Sequence, residues 1–171
     1  CISGIPASPG IAIAPARVID RGKVRFPRRH IDQSEVELEV NRLMEAVVES
    51  RHQLIDARET VKEAINAAED NHTLIFDSHL LMLEDDALVT GAAILTREKL
   101  INAEWAVFEK IDEFRSAIAG LGNEFLRERA DDVMFVGNRI LRNLMGYTTQ
   151  IIDVNIGPCI IVSETLSPAE T

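Results

Sequence analysis

Two cysteines in 171 residues, Cys1 and Cys159, are too few for a disulfide framework or a zinc site. Each lies in apolar, strand-like sequence and reads as an inert thiol. No apolar run approaches the roughly 18 residues that a membrane span requires, and the opening Cys-Ile-Ser-Gly-Ile-Pro lacks the basic stretch of a signal peptide. A cytoplasmic protein without membrane contact is therefore expected. The missing initiator methionine suggests a fragment, or numbering that begins inside a longer chain. Glycine-rich phosphate loops of the Walker or Rossmann type are absent, as are a Gly-x-Ser-x-Gly elbow, internal repeats and low-complexity stretches. His72 and His79 share a helix face, but seven residues separate them by about 10.5 Å along the axis, too far to share one metal at ligand distances of about 2.1 Å. His30 and His52 have no neighbours at ligand spacing and read as surface residues. No catalytic residue, metal site or cofactor is expected in this chain.

What is present is ordinary for a globular protein. Hydrophobic residues make up 46% and charged residues 27%, enough for one well-buried domain or two small ones. The charge is uneven. Residues 1–33 hold six Lys/Arg against two Asp, +4, whereas the whole chain is −10 and residues 146–171 hold −3, which leaves −11 for residues 34–145. That middle segment repels nucleic acid and anionic membrane and suits a partner with a basic face. A merely solvated helical surface gives the same balance.

Helical periodicity fills the middle. Ser34 and Glu37 match a capping box, after which Val36, Val40, Leu43, Val47, Leu54, Ala57, Val61 and Ala64 keep a 4,3 spacing broken only by Ser50. A helix over 35–68 would be about 50 Å long and needs antiparallel neighbours to bury it. Asn71 is the expected cap of the next helix. Trp105, Phe108, Ile111, Phe114 and Ile118 define a third, closed by Gly120 and Gly122. Asn123 begins a fourth, in which Leu126, Ala130, Val133, Gly137, Ile140 and Leu144 repeat the pattern up to Gly146, with Gly137 marking a close helix approach.

The second helix is the unusual one. Over Ile75–Leu88 one stripe of Phe76, Leu80, Leu83 and Ala87 suits packing on the chain's own core. Ile75, His79, Met82 and Asp86 lie about 100° round from it, and Leu74, Leu81 and Leu88 form a third row. A modest bundle cannot cover three rows, so a protein partner is the expected occupant of what remains. His79, in the middle, reads as a phosphoacceptor, a recognition residue or a satisfied core histidine. Glu84-Asp85-Asp86 offers a new cap, which predicts a kink near 84–85 and a second half from 86 to about 100. Arg127, Glu128 and Arg129 read as a solvated face, with Arg129 able to donate to a partner.

Both ends differ. Ile11–Val18, Ile151–Val154 and Cys159–Val162 read as strands bounded by Gly or Pro. The fold expected is mainly α: a four-helix antiparallel bundle with a kinked second helix, inserted in an incomplete small α/β unit made from both chain ends. Residues 34–145 form the bundle, and 1–33 with 146–171 form the partial α/β unit. Too few strands are present to give that unit a core of its own.

Three spaced segments, Gly4–Ala12, Ile75–Leu88 and Leu126–Val133 with Arg139–Leu144, together resemble enzyme I of the bacterial phosphoenolpyruvate-dependent phosphotransferase system. The first segment is similar to the nitrogen-related branch. The resemblance covers nearly the whole chain and implies an N-terminal piece of a phosphoenolpyruvate-protein phosphotransferase that docks a histidine phosphocarrier, HPr or its nitrogen-branch relative. It implies a carrier-binding helical subdomain at 34–145 and a partial phosphohistidine subdomain from the two ends. By match to the family, Asp77, His79, Leu81, Met82, Asp86, Leu88, Leu126 and Arg129 form the docking patch, and His79 is a recognition residue. The family's acceptor histidine follows a Leu-Thr/Ser-Pro motif by some twenty residues; Leu166-Ser-Pro168 is here and Thr171 ends the chain. The resemblance thus implies an inactive, monomeric fragment whose full-length relatives are dimeric and use magnesium. Ala87, where many members have an acid, and Ala14, where many have glycine, depart from the pattern. The competing reading is a dimeric bundle of a histidine-kinase-like signalling protein with His79 as phosphoacceptor. It lacks a following ATP-binding domain and a proline shortly after the histidine. A third reading, a scaffold bundle with no carrier site, requires all three rows of the second helix to be buried.

Overall fold

The computed structural model describes residues 7–19, 24–64, 73–119, 124–147 and 157–163, with the side chains of 19, 64, 118–119 and 124–130 excepted. Five α-helices lie in this set: α1 (Val36–Ala64), α2 (Leu74–Leu83), α3 (Val89–Lys99), α4 (Ala103–Ala119) and α5 (Glu124–Leu144). Strands β1 (Ala16–Ile19) and β2 (Ile160–Ser163) pair in parallel, Ala16 opposite Ile160 and Ile19 opposite Ser163. Parallel neighbours cannot be joined by a tight turn, and the connection here is the entire helical region. Mainly helical architecture on a small sheet from both ends is what the periodicity predicts. Asn71, Gly120, Gly122, Asn123, Ile151–Val154 and Leu166-Ser-Pro168 lie outside the described residues.

The stripe of α1 is the spine. Val36, Val40, Leu43, Leu54 and Ala57 are buried, and the core continues through Phe76, Leu83, Ala92, Val107, Ile111, Val136, Ile140 and Leu141. A fully buried side chain of this kind contributes about 1.5–3 kcal/mol. Ser50, the break in the stripe, is buried and satisfied: its hydroxyl donates to the Ala46 carbonyl at 2.6 Å and accepts from Asn143 Nδ2 at 2.8 Å. Contacts run from Arg42 to Leu144, from Gln53 to Asn143 and from Arg139 to Gln53, so α5 descends antiparallel to α1. Arg58 with Asp77, Arg51 with Glu84 and Arg97 with Glu37 show the same sense for α2 and α3.

Several boundaries differ from the expected ones. The cap before α1 is Asp32 with Glu35, whose Oε2 accepts the Asp32 amide at 2.9 Å, rather than Ser34 with Glu37. A 3₁₀ turn over Gln33–Glu35 shifts the box two residues upstream. β1 begins at Ala16 instead of Ile11, because Pro15 has no N–H to donate to a ladder; its carbonyl instead accepts the Ile160 amide at 2.9 Å. The kink is a full break at 84–88. There Asp85 Oδ1 accepts the Ala87 amide and Asp86 Oδ1 the Thr90 hydroxyl, both at 2.8 Å, so the acids stabilise the turn itself and α3 starts at Val89 rather than 86.

At the far end of α5, Gly146 takes φ +70° and the Tyr147 amide reaches back to the Arg142 carbonyl at 2.9 Å, a Schellman stop. Gly137 marks a close approach, as the spacing predicts: a Cβ there would lie 2.5 Å from Ile111 Cγ1, and Ile111 is buried in α4. Gly137→Val is expected to cost about 2 kcal/mol through overpacking, read from urea denaturation. An unchanged midpoint would mean that the α4–α5 contact gives way freely.

Candidate docking surface

The interrupted helix α2 packs between α1 and α5 and is clamped at both ends. Arg58 Nη1 on α1 donates to Asp77 Oδ1 at 2.8 Å, and Arg51 lies 3.6 Å from Glu84. Burial sorts the three rows. Phe76 and Leu83 of the first row are in the core, and Leu80 packs against it. Of the second row His79 is buried, Ile75 and Met82 are half-buried against the core, and Asp86 is exposed. The third row stands largely in solvent, with Leu74 59% and Leu81 68% exposed, whereas Leu88 turns into the core where the chain breaks. The scaffold reading, which needs all three rows covered, does not fit.

The eight expected docking residues therefore occupy different settings. Leu81 and Asp86 are exposed, Met82 and Asp77 are half-exposed, and His79 and Leu88 lie inside. Leu126 and Arg129 lie on α5, in the two turns before Asp132; their side chains are outside the described residues. Exposed Glu84, Asp85 and Asp86 follow directly after the apolar row at the end of α2. Exposed apolar surface bordered by acids is the anatomy of a protein interface.

His79 sits at the α2–α5 seam with 2% exposure, its Nε2 3.5 Å from Asp132 Oδ1. Burial pushes its pKa below the usual imidazole value of 6.5; Asp132 opposes that shift and Arg139 adds to it. A neutral, enclosed ring whose Nε2 faces a carboxylate is poorly placed to accept a phosphoryl group from a second protein. Among the described residues no group of three His, Cys, Asp or Glu side chains could hold a metal ion, and no helix is long and apolar enough to cross a membrane.

Sequence reasoning missed a second polar centre at the opposite end of the bundle. Glu39 and Glu104 are 2% and 3% exposed, and Arg42 joins them: Nη1 donates to Glu39 Oε2 at 2.8 Å and Nη2 to Glu104 Oε1 at 2.7 Å. Glu39 Oε2 also accepts the Ala103 amide at 2.9 Å, which caps α4 from another helix. Asn102 Nδ2 donates to Glu104 Oε2 at 2.7 Å and to the Pro27 carbonyl at 2.9 Å. The only signal was the i,i+3 pair Glu39 and Arg42, which resembles any exposed helical pair.

The described residues thus form a helical bundle with one under-covered helix, together with a parallel strand pair from the two ends of the chain. The chain belongs to the family of PEP-utilising enzymes, N-terminal, whose model matches residues 3–129. It is 32% identical over 171 residues to the phosphoenolpyruvate-protein phosphotransferase of Haemophilus influenzae, and 35% identical over 173 residues to that of Listeria innocua. Each match covers 99% of this chain and 29% of the relative, so the chain spans about three tenths of the length of these curated relatives, which are enzymes. The solution structure of an Enzyme I protein superposes with a TM-score of 0.81 at 30% identity, over 96% of this chain and 65% of that one. The N-terminal domain of Enzyme 1 - Nitrogen superposes with a TM-score of 0.66 at 26% identity and the same coverage.

Proposed function

We propose that the chain docks a histidine phosphocarrier protein, HPr or its nitrogen-branch relative, on the face of α2 that carries Leu81 and Met82, with Asp77, Asp86, Leu126 and Arg129 around it. His79 and Leu88 support that face from inside. On this reading residues 34–145 are the carrier-binding subdomain, and 1–33 with 146–171 contribute to a phosphohistidine α/β subdomain. Phosphoryl transfer from phosphoenolpyruvate, with magnesium, is then the activity of a longer cytoplasmic protein of this family. The observation that supports the reading most strongly is the 68% exposure of Leu81 on a helix whose other side, through Phe76, His79 and Leu83, is buried. An exposed leucine alone is common; Leu74 two turns away on the same row, Met82 beside it and the acids that follow at 84–86 make it a patch.

The test is NMR titration of the chain with HPr. Localised shifts are expected at the amides of Met82, Leu88 and Arg129. Shifts spread evenly over the bundle, or none at millimolar carrier, would contradict the reading.

A further inference from the structure

Three buried carboxylate or imidazole side chains occur among the described residues, and they are not alike. Glu39 and Glu104 are each held by Arg42 at 2.7–2.8 Å, with further donors close by. Among the described residues the polar contact of His79 is the 3.5 Å approach of Asp132, at the outer limit of a hydrogen bond. Among the described residues of α5, the charged groups that act on it are Asp132 and Arg139. From α1, Arg58 and Arg51 reach α2, but these are engaged by Asp77 and Glu84 at its two ends. The imidazole is therefore a wedge in the seam, within one turn of Leu81 and Met82.

We propose that His79 is a positioning residue for carrier docking: as the neutral imidazole it seats α2 on α5 and so places Leu81 and Met82, and its protonation unseats the helix and weakens the carrier complex. The inference rests on the docking reading above. The direction follows from burial, which holds the ring's pKa below 6.5 in the folded chain. Above that value the ring is neutral folded or unfolded, and the seam keeps its full stability. As the pH falls from 6.5 towards the lowered folded value, the open chain takes up a proton that the closed seam refuses, and the closed form loses ground.

Calorimetric titration with HPr at about pH 7.5 and about pH 5.5, on the natural chain and on His79→Gln, reads this directly. The same carrier titrates in both arms, so its own ionisations cancel in the comparison. The natural chain is expected to lose about tenfold more affinity than the variant over that interval; equal losses overturn the proposal. Asp132→Asn removes the group that favours the imidazolium, and should move the midpoint of the affinity loss to lower pH together with the NMR titration of the His79 ring. A midpoint that stays in place overturns it too, whether or not the glutamine variant folds. Hydrogen exchange on the free chain separates the two claims. After correction for intrinsic rates, protection of the Leu80–Leu83 amides should fall on acidification; unchanged protection overturns the seam mechanism even if HPr binds. If HPr fails to bind at either pH the docking reading falls, and the exchange result alone then decides whether His79 seats the helix.

Discussion

Arg42→Met is expected to destabilise the fold by about 3 kcal/mol. Removing the guanidinium leaves Glu104 charged and enclosed without a cation, and Glu39 with Arg29 alone, whose Nη2 lies 3.1 Å from its Oε1; breaking one partner of a buried ion pair costs about 3–5 kcal/mol. The lower end applies because the Arg42 side chain keeps 36% of its exposure, so water already screens part of the attraction. The same change frees the Leu144 carbonyl at the end of α5, which Arg42 Nη2 reaches at 3.2 Å. Urea denaturation at neutral pH measures the loss. Adding Glu39→Gln and Glu104→Gln should recover part of it, since amides can stay buried where charges cannot. A loss below about 1 kcal/mol would show that water enters the cluster freely.

Leu81→Lys should weaken HPr binding by about 2–4 kcal/mol, roughly 30- to 1000-fold, and leave folding unchanged to within about 0.5 kcal/mol. The side chain is exposed in the free chain, so its replacement empties no core volume. In the complex the substitution removes an apolar anchor and places a cation opposite the basic face that the acids at 84–86 favour. Leu88→Ala offers the contrast. Leu88 is buried, so its truncation should lower stability as well as affinity. Calorimetry of binding beside thermal unfolding distinguishes the two patterns. Full affinity in Leu81→Lys would remove this face from consideration.

Repeating apolar spacing made α1, α4 and α5 legible, because a helix of 3.6 residues per turn must repeat its buried face. The acidic triplet located the break between α2 and α3, since such residues bond their own backbone more readily than they extend a helix. What could not be read were choices settled by distant partners. Asp32 with Glu35 and Ser34 with Glu37 are equally good boxes in the sequence, and the chain uses the earlier one because a 3₁₀ turn precedes α1. Glu39 looks like any solvated acid until Arg42, Ala103 and Arg29 are seen around it. The candidate surface was half legible in the same sense. Three apolar rows on one short helix signal an excess, but which row faces water depends on where α1 and α5 lie. That geometry turned His79 and Leu88 inward and left Leu81 outside.

Isotope-filtered NMR on a complex of labelled chain and unlabelled HPr tests the docking face most directly. Intermolecular contacts to the methyl groups of Leu81 and Met82 are expected, with none to exposed apolar residues elsewhere, such as Val48 on α1 or Phe114 on α4. Contacts confined to those other helices, with Leu81 and Met82 silent, would contradict the account.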